Sequence, residues 1–130
     1  MAQHYPNIEV IVVDDGSDDG TKEMVQEFKE STDMVIKYIY FKNEGYGLAR
    51  SRNAGLVEAN GEIVCFMDDR YMMDRNAINV FVSKLEPKTW VFGNKEVNKT
   101  SFVENFSAIH KRDLISIGGF NERITFWGVS

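Results

Sequence analysis

No other stretch constrains this chain as tightly as Ile8-Glu9-Val10-Ile11-Val12-Val13-Asp14-Asp15-Gly16-Ser17-Asp18-Asp19-Gly20-Thr21. Residues 8–13 are mostly valine and isoleucine with almost no polar alternation, the pattern of a strand buried on both faces. The run ends in two carboxylates. They fall at the carboxyl end of that strand, the edge where open α/β sheets bind ligands. Gly16 and Gly20 permit tight turns, and Ser17, Asp19 or Thr21 offers a cap for a following helix.

The rest of the chain reads as alternating elements. A turn at Pro6-Asn7 launches the first strand. Met24, Val25 and Phe28 repeat at helical spacing and predict a short amphipathic helix over 21–30. Residues 35–41 alternate and are rich in Ile, Tyr and Phe, which predicts a second strand. After the loop 43–47 a helix runs to about Ala59, with Asn60-Gly61 as its stop signal. Residues 62–67 predict a third buried strand, again ending in carboxylates at Asp68 and Asp69. Asp74 is placed to cap a helix bearing Ala77, Ile78, Phe81, Val82 and Leu85 on one stripe. Residues 90–92 predict a short strand, 94–110 a further strand through 102–106 or 106–110, and 111–117 a short helix closed by Gly118-Gly119. Alternating strands and helices over 130 residues predict one domain, 1–130, built as an α/β, mostly parallel sheet flanked by helices.

Charge and composition exclude several classes. A net charge of −5 offers no basic stripe for a nucleic-acid backbone, so no nucleic acid is expected as partner. Cys65, the single cysteine, rules out an internal disulfide and fits a reducing compartment. Its apolar neighbours predict a small buried hydrophobe instead of a nucleophile. No apolar run reaches the ~20 residues of a membrane span, and no signal peptide is visible, so the expected setting is cytoplasmic, or at a membrane face through parts outside this chain.

Two strands ending in acidic pairs are the main chemical clue. If parallel in one sheet, they bring Asp14, Asp15, Asp68 and Asp69 to one edge. Converging carboxylates suit Mg2+ or Mn2+, which in turn holds phosphate oxygens. The competing reading makes them turn formers and helix caps, the more natural role for Asp18 and Asp19. A calcium loop fits poorly, since Gln26 stands at its twelfth position. No G-x-G-x-x-G follows the first strand. At ~100° per residue, Arg52 lies mid-stripe with Leu48, Gly55, Leu56 and Ala59, while Arg50 points away. A charge there is either functional, beside an anionic ligand, or a salt bridge to a strand-end Asp. Asn53 lies at the edge of the same face. Phe120, Phe126 and Trp127 suit either stacking on a sugar or completing a core.

Four segments, in this order, carry a family resemblance: Tyr5-Pro6-Asn7-Ile8-Glu9-Val10-Ile11-Val12-Val13-Asp14-Asp15-Gly16-Ser17, Gly47-Leu48-Ala49-Arg50-Ser51-Arg52-Asn53-Ala54-Gly55, Gly61-Glu62-Ile63-Val64-Cys65-Phe66-Met67-Asp68-Asp69 and Gly118-Gly119-Phe120-Asn121-Glu122. Together they resemble the inverting, family 2 type of GT-A glycosyltransferases, whose donors are nucleotide sugars. The resemblance implies a GT-A (Rossmann-like) fold, with Asp14, Asp15, Gly16, Ser17, Arg52 and Asn53 on the nucleotide. It implies Asp68 and Asp69 on a Mg2+ or Mn2+ ion bridging the diphosphate, and Gly119, Phe120, Glu122 and Trp127 on the acceptor side. The donor is expected to be a UDP-sugar, and the acceptor a saccharide or lipid-linked hydroxyl.

Departures from the family pattern carry expectations of their own. Arg70 stands where a further Asp is usual, and either weakens cation binding or partly substitutes for the cation's charge. Asn121 stands where Asp is usual. The family's first strand and helix have no counterpart before residue 8, and its catalytic base is expected beyond Ser130, so the catalytic residue is unknown here. This chain is therefore expected to be truncated at both ends and inactive or weak in transfer. Open sheet edges are expected to pair with a second copy or be covered by a rearranged sheet. The rival readings are a non-catalytic nucleotide-sugar-binding module and a nucleotidyltransferase. The latter normally carries a basic, Gly-rich phosphate loop where this chain is acidic.

Overall fold

The computed structural model describes residues 3–70, 72–94 and 105–124. They fall into two compact units, one formed by Ile8–Asn60 with the segment from Gly118, the other by the first seven residues with Gly61–Ile117.

In the first unit, β1 (Glu9–Asp14) and β2 (Val35–Tyr40) pair in parallel, from Glu9 opposite Val35 to Asp14 opposite Tyr40. The ladder runs one step further, where the Phe41 N–H donates to the Asp14 carbonyl at 2.8 Å. A parallel pair needs a crossover, supplied by α1 (Thr21–Glu30), which packs on β2. The Asp19 carboxylate accepts from the Thr21 hydroxyl and N–H at its start. Of the expected α1 stripe only Val25 is buried; Met24 and Phe28 are exposed. Helix α2 (Leu48–Glu58) packs on β1 and buries Ser51 and Leu56. It stops at Ala59, which turns extended, and the Asn60 N–H is taken by the Glu9 carboxylate at 2.5 Å. The stop signal thus works through an acidic partner on β1.

Burial on both faces of β1 is not what the structure has. Residues 9–13 are all half-buried, and the one buried residue of the strand is Asp14. Among the described residues β1 has one strand neighbour, with α2 across it, and the apolar run is not sealed.

In the second unit, β3 (Ile63–Met67), β4 (Trp90–Phe92) and β5 (Phe106–His110) form a sheet in the order β3-β5-β4. Both pairings are antiparallel, Ile63 facing His110, Met67 facing Phe106 and Trp90 facing Ile109. The α/β class stands, with its parallel pair and flanking helices. The two acidic strand ends, however, belong to different sheets, and the alternation of strands and helices did not announce the antiparallel pairings. Of the two strands offered for 94–110, the structure takes 106–110. That strand is central, with Phe106 to Ile109 buried, yet Ser107 and His110 mask its apolar pattern.

The core of this unit joins Phe81, Phe106 and Ala108, with Ile63, Cys65, Met73 and Val91 packed against them. Phe81 comes from α3 (Ala77–Lys84), which lies against β4 and β5, and α4 (Lys111–Ser116) follows β5 directly. Asp74 does not cap α3 at its first turn. Its carboxylate accepts from the Asn76 N–H at 2.8 Å, and its carbonyl ties in Gln3. Cys65 is half-buried, and burial pushes its thiol up to about 11, as expected of a packing residue rather than a nucleophile.

Candidate functional site

The loop after β1 is held by its own acids. Asp14 is buried, and its carboxylate accepts from the Tyr38 hydroxyl and, at 2.8 Å, from the Ser17 N–H. Burial alone would raise this carboxyl, but the bonds from Tyr38, Ser17 and the Gly16 N–H outweigh it and hold it below the ordinary range. Burial, together with the same pairing, pushes the Tyr38 hydroxyl up to about 12. Asp14 thus braces the loop that Gly16 and the exposed Ser17 occupy.

Asp15 is placed differently. Its Oδ1 lies 2.7 Å from Nη2 of Arg50, whose Nη1 is 3.8 Å from Glu44 and whose guanidinium sits 4.8 Å from the Phe41 ring centre. Gly47 makes room for the arrangement, since a Cβ there would fall 2.5 Å from Asp15 Oδ2. The strand-end salt bridge considered for Arg52 is therefore made by Arg50. Helical periodicity sent Arg50 to the far side, but it stands in the first turn of α2, beside the β1 loop, where reach matters more than the stripe. That position was the signal available. Arg52 instead lies over the Phe120 ring at 5.3 Å.

Asn53 is committed to the segment from Gly118. Its Oδ1 accepts from the Phe120 N–H at 2.8 Å, and its Nδ2 donates to the Phe120 carbonyl at 2.9 Å and to Glu122 at 2.8 Å. Gly119 lies against the same amide. Glu122 also lines an open depression with Glu44, Gly45, Tyr46, Gly47, Arg50 and Ile124. The structure thus brings nucleotide-side and acceptor-side candidates together on one unit. Phe126 and Trp127 lie outside the described residues.

At the end of β3, Asp68 is heavily engaged. Oδ1 accepts from the Arg70 N–H at 3.0 Å and its Nε at 2.9 Å; Oδ2 accepts from Arg70 Nη2 at 2.7 Å and Asn105 Nδ2 at 3.2 Å. The Arg70 fork above all holds this carboxyl down to about 2, against the raising effect of burial. Asp69 is exposed. Among the described residues, no three or more His, Cys, Asp or Glu side chains are grouped to hold a metal ion.

These shifts set an acid limit. Asp14 and Asp68 titrate lower folded than unfolded, so the stability they contribute is fully present above the ordinary value of 3.8 and lost as pH falls through the folded values, for Asp68 about 2. Urea midpoints measured from pH 5 to pH 2 are expected to fall steeply below pH 4, and less so in Asp68→Asn. An unchanged slope in that variant would show that Asp68 is not held this way.

Comparisons with known proteins bear on this geometry. The family model described as Glycosyl transferase family 2 matches residues 1–128. A Campylobacter jejuni GalNAc(5)-diNAcBac-PP-undecaprenol beta-1,3-glucosyltransferase is 37% identical over 98 residues, 75% of this chain and 31% of that protein. The Escherichia coli UDP-Glc:alpha-D-GlcNAc-diphosphoundecaprenol beta-1,3-glucosyltransferase WfgD is 32% identical over 114 residues, 85% of this chain and 44% of its own length. Among solved structures, the mannosyltransferase PcManGT from Pyrobaculum calidifontis, in complex with GDP-Man and Mn2+, matches with a TM-score of 0.78 and 29% identity, over 93% of this chain and 41% of that one. This chain thus spans less than half the length of each of these relatives.

Proposed function

This chain belongs to glycosyl transferase family 2, and from that premise we propose that it carries donor-binding residues of an inverting transferase acting on a nucleotide sugar. A family match that runs through both acidic strand ends, β1 to Asp15 and β3 to Asp69, carries the reading. It also supports taking the two units as parts of one GT-A domain. In this reading Asp14, Asp15, Gly16, Ser17, Arg52 and Asn53 serve the nucleoside, Asp68 and Asp69 the diphosphate, and Gly119, Phe120, Glu122 and Trp127 the acceptor side. Asp15 meets the donor directly, while Asp14 and Asn53 act by fixing the loops around it. A UDP-sugar donor is favoured by the name of the Escherichia coli glucosyltransferase, and a lipid-linked acceptor by the names of both glucosyltransferases.

In the reaction an acceptor hydroxyl oxygen attacks the anomeric carbon, its proton passes to a carboxylate, and the bond to the diphosphate breaks. Such a base contributes ~10²–10⁴-fold in rate. No residue here is assigned to it, and this chain by itself is expected to transfer weakly or not at all. A divalent ion, Mg2+ or Mn2+, belongs to the reading, supported by the Mn2+ of the mannosyltransferase complex. Bound at Asp69, it would neutralise charge on the leaving diphosphate. Asp68, already holding a guanidinium, fits it less well.

Among the described residues no helix is long and apolar enough to cross a membrane. The unpaired thiol of Cys65 favours a cytoplasmic setting. Pairing of two copies over open sheet edges is part of the same proposal, and a monomer with an unrearranged sheet, by light scattering and circular dichroism, would remove it.

The test of the donor site is calorimetric titration of UDP, and of GDP in parallel, with and without Mn2+, on this chain and on Asp69→Ala. Nucleotide binding that Mn2+ strengthens in the parent chain, with the strengthening lost in the variant, is the expected result. No nucleotide binding in any condition would withdraw the donor-site assignment.

A further inference from the structure

We propose that Arg70 is a built-in competitor of the divalent cation at Asp68, so that a fixed guanidinium supplies part of the positive charge a donor diphosphate needs. The inference rests on the reading that Asp68 and Asp69 serve that diphosphate.

Among the described residues, four donors converge on the two Asp68 oxygens, two on each, three of them from Arg70 and the fourth from Asn105. Two of those from Arg70 are parallel fork bonds at 2.9 and 2.7 Å, the geometry in which a guanidinium matches a carboxylate best. The third is the Arg70 N–H, so the turn itself and not only a long side chain fixes the pair. A hard cation would need one of these oxygens at ~2.0–2.2 Å with its lone pair free, and would meet a positive charge on the same carboxylate. Asp68 is therefore a poor first ligand while Arg70 is in place, and a cation depends on Asp69 and the ligand's own oxygens. The Arg70 side chain is nonetheless 63% exposed, so the guanidinium charge fixed on Asp68 stands at the surface, where a phosphate can approach it.

Mn2+ binding to this chain, followed by the loss of the free-ion paramagnetic resonance signal, tests the competition without any catalysis. Arg70→Ala is expected to bind Mn2+ on the order of tenfold more tightly than the parent, since a positive charge is removed from the same carboxylate. Arg70→Lys, which keeps the charge without the fork, should fall between them. Adding Asp68→Ala to Arg70→Ala should cancel the gain. An Mn2+ affinity unchanged in Arg70→Ala, or a gain that survives Asp68→Ala, overturns the competition.

UDP titrations then read the diphosphate half. Chelating Mn2+ with EDTA should weaken UDP binding by the parent chain about twofold, and by Arg70→Ala on the order of tenfold, the latter regained with Mn2+. Equal Mn2+ dependence in the two overturns this half. An Mn2+ gain with no binding of UDP or GDP in either form overturns the donor-site reading and the diphosphate half with it, while the competition at Asp68 stands.

Discussion

Gly16→Ala is expected to destabilise the chain by about 2–5 kcal/mol, measured as a shift in urea midpoint. Gly16 has φ +97°, where a side chain costs about 1–2 kcal/mol by itself. The larger part is contact. A Cβ at this position would press on Asn43 and come within 2.7 Å of its main-chain nitrogen, which cannot swing aside as a side-chain tip can. That adds about 1–3 kcal/mol of overpacking. Gly20 gives the internal comparison, with φ +86° and no atom within 4 Å of the added carbon. Gly20→Ala should therefore pay the conformational cost alone, about 1–2 kcal/mol. Equal losses in the two variants would mean that the approach of Asn43 to Gly16 contributes nothing. Since Gly16 follows Asp15, the same substitution is expected to weaken nucleotide binding while the chain is still folded.

Phe106→Ala should cost about 3–5 kcal/mol, the range for emptying a buried aromatic site. Phe106 is 3% exposed, opens the central strand of the β3-β5-β4 sheet and packs with Phe81 and Ala108. It also opposes Met67, the residue before Asp68, and follows Asn105, whose carbonyl and amide engage Asp68. Loss of the ring removes both core volume and the support under that acidic end. Phe92→Ala is the control: Phe92 is 45% exposed and stacks on Trp90 at 5.4 Å, so its loss should cost about 1 kcal/mol. Similar losses for the two would show that the core is not centred where the structure has it.

Much of the local structure was legible because it is encoded locally. The β-branched run 8–13, the Ile-Tyr-rich 35–41 and the apolar 62–67 each carry a strand period within a few residues, and the structure has strands there. The 111–117 helix was legible for the same kind of reason. β5 was readable only as one of two choices, since Ser107 and His110 interrupt its pattern and its burial comes from two neighbouring strands. The α1 stripe shows the opposite error. Met24 and Phe28 have the period of a buried face, but α1 packs on β2 mainly through Val25.

The sequence by itself determined where most of the chain's elements lie, where the acids fall and which family the chain joins, because each follows from short-range pattern or from the order of its motifs. Only the tertiary structure decided which charge meets which. Arg50, not Arg52, pairs with Asp15; Asn53 grips Phe120; and Arg70 closes on Asp68 with Asn105 behind it. A side chain's partner is set by the reach and burial of groups that are mostly distant in sequence, 35 residues apart for Arg50 and Asp15 and 37 for Asn105 and Asp68. No local period encodes such a distance.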